Sequence, residues 1–106
     1  MKIEILYFDG CPSYETLVPR LHELVSELDP DAAIELRHIE RLDQAEEERF
    51  LGSPTVRVNG ADIDPTAAER TDYGLNCRLY RSDDGASGVP PEQWLRAAIR
   101  AARTTG

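Results

Sequence analysis

The chain has 106 residues, enough for one domain with one core, and a net charge of −8 from twenty acids against twelve bases, eleven of them arginine. Such an acidic surface repels phosphate backbones and anionic lipid, so nucleic acid and membrane are not expected partners. No apolar run is long enough to span a bilayer, and no cleavage site of small residues follows the N-terminus. The expectation is a cytoplasmic, reduced protein whose two cysteines are not a structural disulfide framework.

Ile3–Phe8 is short, β-branched and aromatic, and Asp9-Gly10 bounds it; it predicts a central strand. From Pro12 the period changes. Tyr14, Leu17, Val18, Leu21, Leu24, Val25 and Leu28 fall on one helical stripe, with Pro12 in the first turn and Pro19 inside as an expected kink or break. Ala33–Ile39 alternates as a second strand. Leu42–Leu51 predicts a short charged helix with Leu42, Ala45 and Phe50 inward and Gly52 as its stop. Thr55–Val58 and Ala61–Ile63 flank Asn59-Gly60, a strong signal for a two-residue hairpin. Residues 64 to 90 form a long irregular insertion, with a short extended piece expected near Asn76–Tyr80. Pro90-Pro91-Glu92 opens a last helix that buries Trp94, Leu95, Ala98, Ile99 and Ala102. The order is β-α-β-α-β-β-α. It predicts a single α/β domain over residues 1–106, a four-stranded mixed sheet with helices on both faces.

This order, with Cys11-Pro12 opening the first helix and Ser53-Pro54-Thr55 leading into the third strand, resembles the thioredoxin and glutaredoxin superfamily. The segments FDGCPSY, FLGSPTVRVNGADIDP, DYGLNCRLY and GVPP are similar to a small bacterial thioredoxin-like group, some of whose members carry an alkylmercury-lyase-like label. The resemblance implies that Cys11 is the nucleophile and that Pro54 follows a cis peptide bond. The backbone of Ser53 would then be open to a peptide or glutathione; the candidate substrate-binding residues are Pro12, Tyr14, Ser53, Pro54, Thr55 and Arg78. Tyr14 stands where the second cysteine of a C-x-x-C motif would be, so the usual dithiol cycle is closed to this chain.

At a helix N-terminus a thiolate gains about 0.3–1 kcal/mol when exposed, which should lower the Cys11 pKa from its usual value near 8.5, while Asp9 works against that shift. Cys77 is the other thiol. The expected hairpin returns the chain to the end of the sheet where Cys11 lies, so Cys77 can be a displaced resolving cysteine, a second soft-metal ligand, or a core residue. Arg78 beside it could stabilise a thiolate or clamp a carboxylate. His22 and His38 make no metal spacing, Asp62, Asp64 and Asp72 read as a solvated loop, and Gly85 and Gly88 form no phosphate loop. No cofactor is expected. Three readings stand: a thiol–disulfide oxidoreductase using Cys11 with Cys77 or glutathione as the resolving thiol, acting on a protein disulfide or a small thiol; a soft-metal or organomercurial binder; and a non-catalytic thioredoxin-fold interaction protein.

Overall fold

The computed structural model describes residues 1–10, 12–83 and 85–105, the side chains of 104 and 105 excepted. Lys2–Tyr7 forms β1, Ser13–Leu28 α1, Ala33–His38 β2, Leu42–Glu47 α2, Thr55–Val58 β3 and Ala61–Asp62 β4. A 3-10 turn follows at Pro65–Glu69, then β5 at Tyr80–Ser82, β6 at Gly85–Ser87 and α3 at Glu92–Thr105. The main sheet runs β2-β1-β3-β4, with β1 and β2 parallel and the other neighbours antiparallel; β5 and β6 make a separate two-stranded sheet. The predicted β-α-β-α-β-β-α order and mixed sheet are therefore present.

The alternation along β1 explains both faces. Ile3 and Ile5 point to one side, where they pack with Leu17, Leu21, Leu24 and Val25 of α1 and with Leu95 and Ile99 of α3. Leu6 points the other way, into a smaller core with Ile39, Ala45 and Phe50 beneath α2. Glu4 is also on that side and is almost fully buried. It is held by Arg37 at 3.1 Å, and Arg37 in turn pairs with Glu48 at the end of α2. A carboxylate in a central strand is thus matched by a cation from its neighbour, as burial requires.

Three expectations are corrected. Pro19 neither splits nor ends α1, which continues for 16 residues; Pro19 is exposed, so the carbonyl it leaves without an N–H faces water. Next, α2 stops at Glu47, because Arg49 takes the left-handed conformation (φ 56°) and Phe50 N–H closes the turn onto the Ala45 carbonyl at 2.8 Å. Gly52 is not the stop. Ala45 and Phe50 are inward, as expected, but Leu42 is exposed. The Asn59-Gly60 hairpin forms with both residues at positive φ, 51° and 86°, which is what its tight turn demands. Among the described residues no helix is long and apolar enough to cross a membrane.

Because Leu21 is fully buried between sheet and helices, Leu21→Ala should lower the unfolding free energy by about 2–5 kcal/mol in a urea titration. Leu42→Ala should change it by no more than about 0.5 kcal/mol, since an exposed side chain leaves no cavity. A large loss from the second substitution would contradict the position of α2.

Candidate functional site

The sheet register gathers the sequence-predicted site at one edge. Tyr7 pairs with His38 and Leu6 with Thr55, so the C-terminal ends of β1 and β2 and the start of β3 lie together. Since β4 is antiparallel to β3, the chain returns to the same edge at Asp64. Pro12, at the start of α1, is exposed. Cys11 lies outside the described residues.

Aromatic rings cover this edge on the β2 side. Tyr14 stacks on Tyr7 with centroids 4.3 Å apart, and Tyr7 stacks on His38 at 5.0 Å. His38 Nε2 is 3.1 Å from Asp9, and its Nδ1 is 3.1 Å from Glu40. Desolvation, helped by the charge of Glu15, raises the Tyr14 hydroxyl above the usual tyrosine value, so it stays protonated at neutral pH. The place taken in a C-x-x-C motif by a thiol is filled here by a packed, neutral ring. His22 is exposed on α1.

The Ser53–Pro54 peptide is cis, as the resemblance implied. The surroundings differ from what it implied. Ser53, Pro54 and Thr55 are all buried, and the backbone of Ser53 is already engaged. Its N–H donates to the Asn76 carbonyl at 2.9 Å, and its carbonyl accepts from Arg78 N–H at 2.9 Å. Cys77 is therefore the residue bridged in parallel to Ser53. The Tyr80 hydroxyl adds a bond to the Pro54 carbonyl at 2.5 Å, and Thr55 Oγ1 donates to Gly52 and accepts from Arg78. The expectation of an open Ser53 backbone is corrected: residues 76–80 of the same chain occupy it.

Gly52 permits that close approach. A Cβ there would lie 2.8 Å from Asn76 Nδ2, 2.9 Å from the Asn76 carbonyl oxygen and 3.0 Å from Arg78 Cβ, and its φ of +129° suits only glycine.

Arg78 holds the segment from below. Its side chain is fully buried, and its two Nη atoms reach the two oxygens of Asp62 at 2.7 and 3.0 Å, with Asp64 at 3.7 Å. Its guanidinium carbon lies 4.5 Å from the centre of the Tyr80 ring. Burial by itself would make the guanidinium easier to deprotonate; the Asp62 hydrogen bonds and charge outweigh it, and Arg78 stays charged. Burial also pushes the Tyr80 hydroxyl far above its usual value. Arg78 does clamp a carboxylate, but it is the chain's own Asp62. Asp62 and Asp64 are accordingly well covered rather than a solvated loop; Asp72 is exposed and pairs with Arg70.

Cys77 is exposed, which removes the core-cysteine reading. From 77 to 81 burial alternates strictly: Arg78 and Tyr80 turn inward, while Cys77, Leu79 and Arg81 stay outside. All three outward residues line an open groove of about 990 Å³, bounded by Pro65 and Thr66 on one side and by Trp94, Ala97 and Ala98 of α3 on the other. Trp94, expected in the core, is half-buried and meets Tyr80 edge-on at 6.2 Å. Among the described residues there is no cluster of three metal-ligating side chains. The groove, the Arg78–Asp62 pair and the role of Gly52 went unnoticed in the sequence. The outward alternation of Cys77, Leu79 and Arg81 was the available signal.

The architecture is a small α/β domain with a mixed four-stranded sheet flanked by helices, consistent with a thioredoxin-like fold. No family model, curated protein or solved structure matches the chain.

Removing Asp62 leaves a buried, uncompensated guanidinium, so Asp62→Ala should cost about 3–5 kcal/mol in denaturant unfolding. In Asp62→Ala/Arg78→Met the loss should be smaller than the sum of the two single losses, and simple additivity would deny the pairing. Gly52→Ala should push residues 76–78 away from Ser53. Hydrogen exchange at the Arg78 amide, which is bonded to the Ser53 carbonyl, should then speed up with little change at β1 amides.

Proposed function

We propose that this chain is a thiol–disulfide exchange protein of thioredoxin-like architecture, with Cys77 and Cys11 as its working thiols. The observation that carries the reading is the bridge between Ser53 and Cys77. It holds an exposed cysteine at the sheet edge where β1 ends, and Cys11 follows β1 by four residues in the sequence. The likeness of the FDGCPSY and DYGLNCRLY segments to a small bacterial thioredoxin-like group supports it, because it involves both cysteines together.

The covered Ser53 backbone argues for a different order of events from the one the resemblance implies. Cys77 lines the groove, and in this proposal its thiolate is the one that meets the substrate first. It attacks one sulfur of a substrate disulfide; a new S–S bond forms, the old one breaks, and the departing thiolate takes up a proton. The Cys11 thiolate then displaces the second substrate thiol and leaves a Cys11–Cys77 disulfide. The substrate has gained two electrons and the protein has lost them. In the sequence Cys11 stands directly before Pro12, the N-cap residue of α1.

Mild oxidation of the reduced protein should give a monomer lighter by two hydrogens, with Cys11 and Cys77 joined in a peptide map. Cys11→Ser should accumulate a mixed disulfide on Cys77 when mixed with a small disulfide, whereas Cys77→Ser should exchange at least tenfold more slowly than wild type. Failure to form the internal disulfide overturns the proposal. So does stoichiometric binding of one soft metal ion by both thiols without any exchange activity.

A further inference from the structure

The groove beside Cys77 has a chemistry of its own. An extended strand advances about 3.3 Å per residue and sends alternate side chains to the same face. Cys77, Leu79 and Arg81 are the outward set and all line the groove. They present a thiol, an isobutyl group and a guanidinium in order along the segment. The strand cannot roll to hide them, because Arg78 and Tyr80 are fixed on its inner side by Asp62 and by the Pro54 carbonyl.

The charges in the groove are unequal. Arg78 is matched by Asp62, and Arg70 is bound through two hydrogen bonds to Asp72. Among the described residues Arg81 makes no ion pair. The Nε of Arg78, itself buried, also has no hydrogen-bond partner among them. Among the described residues Asp64 is the one carboxylate that lines the groove, and it already lies near the Arg78 guanidinium. On a chain of net charge −8, this is a cationic spot beside an apolar wall of Leu79, Trp94, Ile63, Pro65 and Leu51. Leu79 is 54% exposed and stands on the groove wall beside these apolar side chains.

We infer that the groove selects, as the substrate of Cys77, a small disulfide that carries a carboxylate next to an apolar group. The inference rests on the thiol-exchange reading and adds the substrate class to it. The carboxylate meets Arg81, the apolar part covers Leu79 and Trp94, and the scissile sulfur faces Cys77. In the reacting step the Cys77 sulfur is oxidised to the mixed disulfide. The leaving sulfur is reduced to a thiolate that carries the second half of the molecule away. A volume of about 990 Å³ suits a molecule of this size, and the wider acidic surface discourages anions elsewhere.

The test uses the reduced full-length Cys11→Ser protein, so that Cys77 alone reports. Its second-order rate constants are measured with 5,5′-dithiobis(2-nitrobenzoate), an aromatic disulfide bearing carboxylates, and with 4,4′-dithiodipyridine, its uncharged counterpart. The ratio of the two rates is expected to fall about fivefold in Arg81→Glu, where attraction becomes repulsion at an exposed site. It should be kept in Arg81→Lys and should shrink at high salt. Leu79→Ser should slow both reagents and leave the ratio in place. A ratio unmoved by Arg81→Glu overturns the substrate class while the exchange reading stands. A Cys77 that reacts with neither reagent overturns both. Both substituted side chains are exposed, and circular dichroism of each variant checks that the fold is retained.

Discussion

A buried guanidinium governs the arrangement of this site. Arg78 has no contact with water, so its charge must be answered from within, and Asp62 answers it with both oxygens. The pair joins the end of the β3–β4 hairpin to a segment sixteen residues later, and three neighbouring features follow from the junction. The Arg78 amide reaches the Ser53 carbonyl, Tyr80 lies under the guanidinium and bonds the Pro54 carbonyl, and Cys77 stays outside. Replacing both charged partners by apolar groups need not cost much stability, since burying two ions is itself expensive. What an apolar pair would lack is direction. Two parallel hydrogen bonds fix the orientation of a guanidinium in a way that no methyl contact does.

The same segment changes how the sheet edge can be used. A strand end with free N–H and carbonyl groups is a ready place for another extended chain to pair. Here the two Ser53 groups are satisfied from within, so under the proposed function recognition would fall to side chains. Side-chain recognition by a thiol, an apolar surface and a cation favours compact molecules with matching groups over long extended peptides. Under that proposal the long segment between β4 and α3 is the part of the molecule that sets what the thiol meets.

Much of the fold was readable because the signals were local. The apolar run of β1, the helical stripe of α1, and Asn59-Gly60 each fix a structure with few neighbours involved, and each appears where expected. Errors fell where a distant contact decides the outcome. Gly52 looks like a helix stop, yet its lack of a side chain admits Asn76, twenty-four residues further on. Leu42 fits a helical stripe, but as the first residue of α2 it stays exposed. Asp62 and Asp64 look like ordinary loop carboxylates until Arg78 is placed beneath them. Cys11 drew attention by its sequence position, and Cys77 is the thiol whose surroundings the structure describes.

The alternation from Cys77 to Arg81 has a consequence for how this protein can vary. A strand shifted by one residue exchanges its two faces. One residue inserted or lost between the Ser53 pairing and Tyr80 would turn the thiol inward and bring an arginine and a tyrosine out into water. Residues 70 to 73 lie before the pairing begins, so their number does not set which face Cys77 takes. The region that looks like one irregular insertion is therefore not uniform: the count of residues matters most in the stretch from Cys77 to Arg81, where it decides which side chains face the groove.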